Sequence, residues 1–112
     1  MLIEDNSELR AMLSELLHAS GYTVYSTEDA TNAYEIASAL RPAVVLCDVM
    51  LPTTTGFETA ARLNDHPETR CIPVILMSGH ASALMNRPAT ERWLLKPFTG
   101  EELTTALQEV AA

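Results

Sequence analysis

The chain has 112 residues, which suits one compact domain and leaves no room for a second of ordinary size. Hydrophobic residues make up 47% of it and charged residues 20%, so it can bury a core and is not expected to be disordered. Its formal net charge of -8 argues against direct nucleic-acid binding, because proteins with that function present a basic surface to the phosphates.

The cysteines and the N-terminus indicate a cytoplasmic domain with no direct membrane contact. Cys47 and Cys71 have no spacing suited to a disulfide framework or a zinc site. The N-terminal residues include acids and no long apolar run, unlike a signal peptide or a membrane span. Because Met1 already belongs to the first predicted strand, we expect residues 1–112 to form a single domain of the kind that is excised from longer chains.

The first half of the chain alternates short apolar runs with amphipathic stretches. Residues 1–3 predict a strand, and a helix follows from the capping residue Asn6 to a stop at Gly21. The apolar stripe of this helix comprises Leu9, Met12, Leu13, Leu16 and Leu17. Residues 22–26 have the β-branched and aromatic content of a second strand, and a second helical stripe ends before Pro42.

The second half continues this alternation. Residues 43–47 form a nearly continuous apolar run that stops at Asp48, which is typical of a strand covered on both faces. A third helical stripe begins at Phe57. Further apolar runs at residues 74–77 and 93–95 predict the fourth and fifth strands.

The segment between the fourth and fifth strands favours little helix. Pro88 disfavours helical geometry at Arg87 and removes an N–H donor, so residues 81–86 can supply at most a turn or two. We therefore expect the fourth helix to be short or missing. The chain then ends on a helix for which Thr99 and Glu102 form a capping box.

This order of elements predicts an α/β fold, a doubly wound five-stranded parallel sheet covered by helices on both faces. Four of the strands end in polar residues: Glu4 and Asp5, Asp48, Ser78 and Lys96. Any one of these residues could simply cap a helix or face water. The carboxyl ends of parallel strands, however, form the ligand crevice of such sheets, so we expect the side chains to meet at one rim.

The residue types at this rim indicate phosphoryl acceptance. Clustered carboxylates repel one another unless a cation neutralises them, and Mg²⁺ (or Mn²⁺) prefers oxygen ligands of this kind. Asp48 is then a candidate nucleophile that forms an aspartyl-phosphate. Lys96, which is the only lysine, and the hydroxyl of Ser78 suit the charge on phosphoryl oxygens.

Four motifs, LIEDN, VVLCDVMLP, ILMSGH and LLKPF, resemble in order and spacing those of the receiver domains of response regulators in two-component systems. The resemblance covers the whole chain and implies a flavodoxin-like fold. It implies a signalling domain, not an enzyme, that catalyses only its own phosphorylation and dephosphorylation. It makes Asp48 the phosphoacceptor in a phosphorelay.

The resemblance also assigns roles to the other rim residues. Asp5, Asp48 and the backbone carbonyl of Met50 would ligate Mg²⁺ directly, and Glu4 would act through a metal-bound water. Ser78 and Lys96 would supply the hydroxyl and ammonium groups of the site. The switch residues would be Ser78 and Trp93, the latter at a position where the family usually has Tyr or Phe.

The partner implied by the resemblance is a histidine kinase or a histidine phosphotransfer domain. Ser78 and Lys96 are 18 positions apart, about one helical turn fewer than in typical family members. Receivers attached to hybrid histidine kinases often have this feature, so such a parent chain is our leading expectation. We further expect a monomer whose partner docks around the first helix and the phosphorylation rim.

The residues alone leave other functions open. The main alternative is an interaction or dimerisation module that keeps the fold and signals without phosphorylation. A hydrolase is less favoured, because Val49 and Met50 follow Asp48 and leave no second acid there. The chain has neither a Walker-type phosphate loop nor a GxGxxG turn for a nucleotide. The scattered histidines are expected to be solvated or partly packed: His18, His66 and His80.

Overall fold

The computed structural model describes residues 1–80 and 92–111. The strands in these ranges are β1 (Leu2–Ile3), β2 (Ser26–Thr27), β3 (Val45–Asp48), β4 (Val74–Ser78) and β5 (Arg92–Leu95). The helices are α1 (Ser7–Ala19), α2 (Ala33–Leu40), α3 (Gly56–Asn64) and α4 (Gly100–Ala111). The expectation of a short or missing helix at residues 81–86 concerns residues outside the described ranges. Within the described ranges, no helix is both long and apolar enough to cross a membrane.

The strands form one parallel sheet in the order β2-β1-β3-β4-β5. The predicted doubly wound parallel architecture is therefore confirmed, and the structure adds the strand order that the pattern alone does not give. β3 lies at the centre of the sheet, and residues 44–49 are all buried. This burial agrees with the prediction of a strand covered on both faces.

Neighbouring residues of β3 face two separate hydrophobic clusters. Leu46 belongs to a cluster that includes residues of α1 and α4, namely Leu13, Leu17, Leu103 and Leu107. Cys47 belongs to the other cluster, with Ala33 and Ala37 of α2 and Leu63 of α3. The split follows from the two-residue period of a strand, which turns successive side chains to opposite faces. With both faces covered by helices, the strand ends are left to carry the chemistry.

The helix ends follow signals in the sequence. The side chain of Asn6 accepts the N–H of Leu9 at 2.9 Å, as expected of the residue that caps α1. Thr99 accepts the backbone N–H of Glu102 at 3.0 Å and Glu102 accepts that of Thr99 at 3.1 Å, which confirms the capping box of α4. Gly21 has a φ of 95°, in the left-handed region where glycine ends helices.

The second strand is shorter and lies later than the sequence predicts. Residues 22–26 have strand-like composition, whereas β2 covers only Ser26–Thr27. Tyr22 donates its N–H to the carbonyl of Leu17 at 3.0 Å, so it completes the end of α1 instead of pairing with β1. Tyr22 and Val24 pack against the cluster that includes residues of α1 and α4, and the carbonyl of Tyr25 accepts the N–H of Leu2 at 2.8 Å just before β2 begins.

Candidate functional site

The carboxyl ends of β1, β3, β4 and β5 are neighbours along one edge of the sheet. The strand order reverses between β1 and β3, and open α/β sheets bind ligands at such a switch point. The predicted rim residues stand at or directly after these strand ends: Glu4, Asp5, Asp48, Ser78 and Lys96. The topology therefore brings them to one place, as the sequence analysis expects.

Three carboxylates form the acidic part of the site. One oxygen from each of Glu4, Asp5 and Asp48 lies within 4.8 Å of the others, close enough to hold a metal ion. Glu4 is 1% and Asp48 6% exposed, whereas Asp5 faces solvent. An all-oxygen donor set of this kind suits a hard divalent cation. In the part of the chain that the structure describes, no other group of His, Cys, Asp and Glu side chains comes together in this way.

The ammonium group of Lys96 lies between two of these carboxylates. Its Nζ is 2.6 Å from Oε1 of Glu4 and 3.3 Å from Oδ1 of Asp48. The side chain is 21% exposed, so these ion pairs are partly shielded from water and are stronger than pairs on an open surface. The backbone N–H of Lys96 also donates to the carbonyl of Ser78 at 2.7 Å, which ties the end of β5 to the end of β4.

Both carboxylate oxygens of Glu4 have protein partners. Oε1 accepts a hydrogen bond from Lys96, and Oε2 accepts the backbone N–H of Asn6 at 3.2 Å. Burial raises the pKa of the Glu4 carboxyl above its ordinary value, and the hydrogen bonds from Lys96 and Asn6 oppose that rise. Sequence reasoning missed the ion pair with Lys96, because 92 positions separate the two residues and no local signal links them.

Ser78 is buried at the end of β4, and its hydroxyl bonds the backbone two residues further on. Its Oγ accepts the N–H of His80 at 3.0 Å and donates to the carbonyl of His80 at 3.3 Å. The hydroxyl therefore hydrogen-bonds to the backbone of its own loop in this structure. A hydrogen bond to a group on Asp48 would have to replace the donated bond to His80, because a hydroxyl has one proton.

Met50 and Trp93 lie on the surface. Met50 is 63% exposed, and its backbone forms an isolated antiparallel bridge with Thr55 that closes the loop after β3. Trp93 is 50% exposed in β5 and lines a cleft against α4. Their expected roles, a carbonyl ligand of the metal and a switch aromatic, stay predictions.

Gly56 positions the start of α3 against the phosphoacceptor candidate. Its N–H donates to the carbonyl of Val49 at 2.8 Å, and its Cα faces the backbone of Asp48. From the sequence alone, Gly56 and the nearby Pro52 indicate only a loop before the third helix. The close approach of Gly56 to β3 is a tertiary contact that no local pattern predicts.

An apolar groove of about 340 Å³ adjoins the site, between α1 and the loop that joins β5 to α4. It is lined by Leu9, Met12, Leu13, Leu16, Lys96, Pro97 and Phe98. Met12 is 52% and Leu16 38% exposed, although both belong to the predicted apolar stripe of α1. The stripe is wider than the face that packs on the sheet, so an apolar strip stays exposed beside Lys96.

Comparison with known proteins finds the same likeness in sequence and in fold. A family model described as the response regulator receiver domain matches residues 1–108. The chain is 36% identical over 103 residues to the polar-differentiation response regulator DivK of Brucella anthropi, which covers 88% of this chain and 84% of DivK.

Two solved structures have closely similar folds. The chemotaxis response regulator CheY4 of Vibrio cholerae has a TM-score of 0.86 at 30% identity, with 97% of this chain and 94% of CheY4 covered. The receiver domain of a sensor histidine kinase from Pseudomonas aeruginosa has a TM-score of 0.86 at 26% identity, with 99% and 95% covered. That domain was crystallised with a magnesium ion coordinated in its active-site cleft.

Proposed function

The chain belongs to the response regulator receiver domain family, and we propose that within two-component signalling it accepts a phosphoryl group on Asp48. One observation carries this proposal. The Asp48 carboxylate ends the central strand beside the Lys96 ammonium, 3.3 Å away, and beside two further carboxylates. A phosphoryl group bonded to Asp48 would therefore lie beside an ammonium group that can neutralise the charge on its oxygens.

The proposed reaction transfers the phosphoryl group from a phosphohistidine donor. An oxygen of the Asp48 carboxylate forms a bond to phosphorus while the N–P bond breaks, and the imidazole nitrogen keeps the electron pair and takes up a proton. Lys96 and Ser78 donate hydrogen bonds to the phosphoryl oxygens, whose charge grows in the transition state. No separate substrate is turned over, so the domain catalyses only its own phosphorylation and dephosphorylation.

The same site is suited to Mg²⁺ or Mn²⁺. Asp5, Asp48 and the backbone carbonyl of Met50 are the proposed direct ligands, and Glu4 is within reach of the same space. The donors are all oxygen, and Lys96 offsets only one of the three negative charges, so a divalent cation is favoured there. When bound, the ion would neutralise charge on the transferred group.

The experiment is phosphorylation by acetyl phosphate with Mg²⁺, followed by intact-mass analysis. We expect one phosphoryl adduct on the parent and none on Asp48→Ala. Asp65→Ala is the matched control, because Asp65 is an exposed acid at the end of α3, outside the acidic cluster. An adduct that survives in Asp48→Ala, or no adduct on the parent, would favour the phosphorylation-independent interaction module.

The proposed partner is a histidine kinase or a histidine phosphotransfer domain that docks in the groove beside α1. The groove places exposed apolar side chains next to Lys96, which belongs to both the groove and the site. A helix that carries the phosphohistidine could bury its apolar neighbours there while presenting the phosphoryl group to Asp48.

This docking can be tested apart from the chemistry. Met12→Ser should slow transfer from a phosphorylated histidine phosphotransfer protein and leave phosphorylation by acetyl phosphate unchanged. Leu40→Ser is the matched control, since Leu40 on α2 is also 52% exposed and does not line the groove. Equal transfer rates for Met12→Ser and the parent would place the partner elsewhere.

A further inference from the structure

We propose that Glu4 is a positioning residue that holds the Lys96 ammonium beside Asp48, an inference that rests on the proposed phosphoacceptor role of Asp48. The family resemblance gives Glu4 a different role, in which it acts on the metal through a water. The contacts of its carboxylate favour the first role over the second.

The Glu4 carboxylate is enclosed and fully engaged. It is 1% exposed, and its two oxygens accept from Lys96 at 2.6 Å and from the N–H of Asn6 at 3.2 Å. The Glu4 backbone is fixed as well, because its carbonyl accepts a hydrogen bond from Nη1 of Arg10 at 2.8 Å. Because both its carboxylate oxygens and its backbone carbonyl are hydrogen-bonded, Glu4 is a rigid partner for a flexible side chain.

Lys96 needs such a partner. A lysine ammonium sits on a four-carbon stem, and fixing that stem in one geometry is entropically unfavourable. The contact with Glu4 is the shorter of the two ion pairs, 2.6 Å against 3.3 Å to Asp48, so Glu4 sets the position of the ammonium. One of its three N–H donors is used in the hydrogen bond to Glu4, so the other two are left for Asp48 and for a phosphoryl oxygen.

Lys96 is the only lysine of the chain, which gives an unambiguous spectroscopic reporter. Protein labelled with nitrogen-15 lysine has a single lysine ammonium signal, recorded without metal and without phosphorylation. We expect this signal to be visible in the parent at low temperature, because the ion pair slows exchange of its protons with water. It should broaden in Glu4→Gln and stay unchanged in Glu15→Gln, which removes an exposed acid of α1.

Kinetics then separate the two roles of Glu4. Phosphorylation by acetyl phosphate is followed across Mg²⁺ concentrations, to give a limiting rate and a half-saturating concentration. A positioning role predicts that Glu4→Gln lowers the limiting rate by about tenfold to a hundredfold, since a misplacement of about 1 Å can cost about a hundredfold. A role through the metal predicts a shift of the half-saturating concentration at an unchanged limiting rate.

Glu4→Asp is the second variant, and it keeps the charge, so it tests the proposal even if Glu4→Gln does not fold. Its carboxylate is one methylene further from Lys96, so we expect an intermediate limiting rate and a weakened ammonium signal. An unchanged lysine signal in both variants, or an unchanged limiting rate, would overturn the positioning role. If the parent itself takes no phosphoryl group while Glu4→Gln alters the lysine signal, the role of Asp48 fails and the ion pair stands.

Discussion

A Cβ atom added to Gly56 would lie 2.5 Å from the backbone oxygen of Asp48, closer than real Cβ contacts come. Since that oxygen belongs to the main chain of the central strand, it cannot swing aside as a side chain would. Gly56→Ala should therefore shift the end of β3 and lower the free energy of unfolding by about 1 to 3 kcal/mol.

Denaturant unfolding measures this effect, with Gly100→Ala as the matched control. The nearest atom to a Cβ at Gly100 is Cδ2 of Leu16 at 3.9 Å, an ordinary contact, so that variant should be neutral or slightly stabilising. If both variants unfold at the same denaturant concentration as the parent, the close approach of Gly56 has no energetic consequence.

Magnesium should bind weakly, in the millimolar range, and change the fluorescence of Trp93, the only tryptophan. Trp93 lies in β5, three residues before Lys96. We therefore expect Mg²⁺ bound beside Lys96 to change the environment of the indole ring. Asp5→Ala should abolish the response, because it removes the exposed carboxylate of the acidic cluster. Glu15→Ala should respond like the parent, and a full response in Asp5→Ala would show that the metal binds elsewhere.

The two cysteines should differ sharply in reactivity. Cys71 is exposed, whereas Cys47 is 0% exposed and its burial raises the pKa of its thiol to about 12. At pH 8 we expect iodoacetamide to modify Cys71 alone in the folded protein, and both cysteines after unfolding, as read by peptide mass analysis. Modification of Cys47 in the folded state would mean that the sheet opens at β3.

The raised pKa of the Cys47 thiol also makes the free energy of unfolding depend on pH in the alkaline range. The folded-state pKa lies above the ordinary value of 9.0, so the folded state holds this proton more tightly than the unfolded state. The contribution to the free energy of unfolding is complete below pH 9.0 and falls as the pH rises toward 12. Cys47→Ala should flatten this part of the pH profile.

The domain should stay monomeric when activated. Light scattering with and without a beryllofluoride mimic of phosphorylation is expected to give the monomer mass in both cases. The sequence supplies little helix between β4 and β5, and α4 presents exposed carboxylates at Glu101 and Glu102, which would repel their copies across a symmetric interface. A tight dimer that forms only with beryllofluoride would contradict this expectation.

Local signals predict the architecture and the rim well. An apolar run that stops at an acid, as residues 43–47 do at Asp48, marks both the strand and the residue at its end. The capping pair Thr99 and Glu102 predicts the start of α4 because its hydrogen bonds span three residues. Such features depend on neighbours in the chain, and the folded protein keeps them.

Contacts between distant segments could not be predicted in this way. The strand order, the pair of Glu4 with Lys96 and the approach of Gly56 to Asp48 depend on how the elements pack, which periodicity does not encode. The second strand lies later than its composition predicts for a related reason. Tyr22 has strand-like character, but its N–H is used by the end of α1, and composition alone does not reveal that competition.

The backbone bond from Lys96 to the carbonyl of Ser78 couples two residues that are proposed to touch the same phosphoryl group. A substitution that displaces the end of β4 therefore also displaces the end of β5, so energetic effects at the two positions should not add. Over evolution, selection should therefore act on positions 78 and 96 together. A change tolerated at position 78 should often be accompanied by a compensating change near position 96.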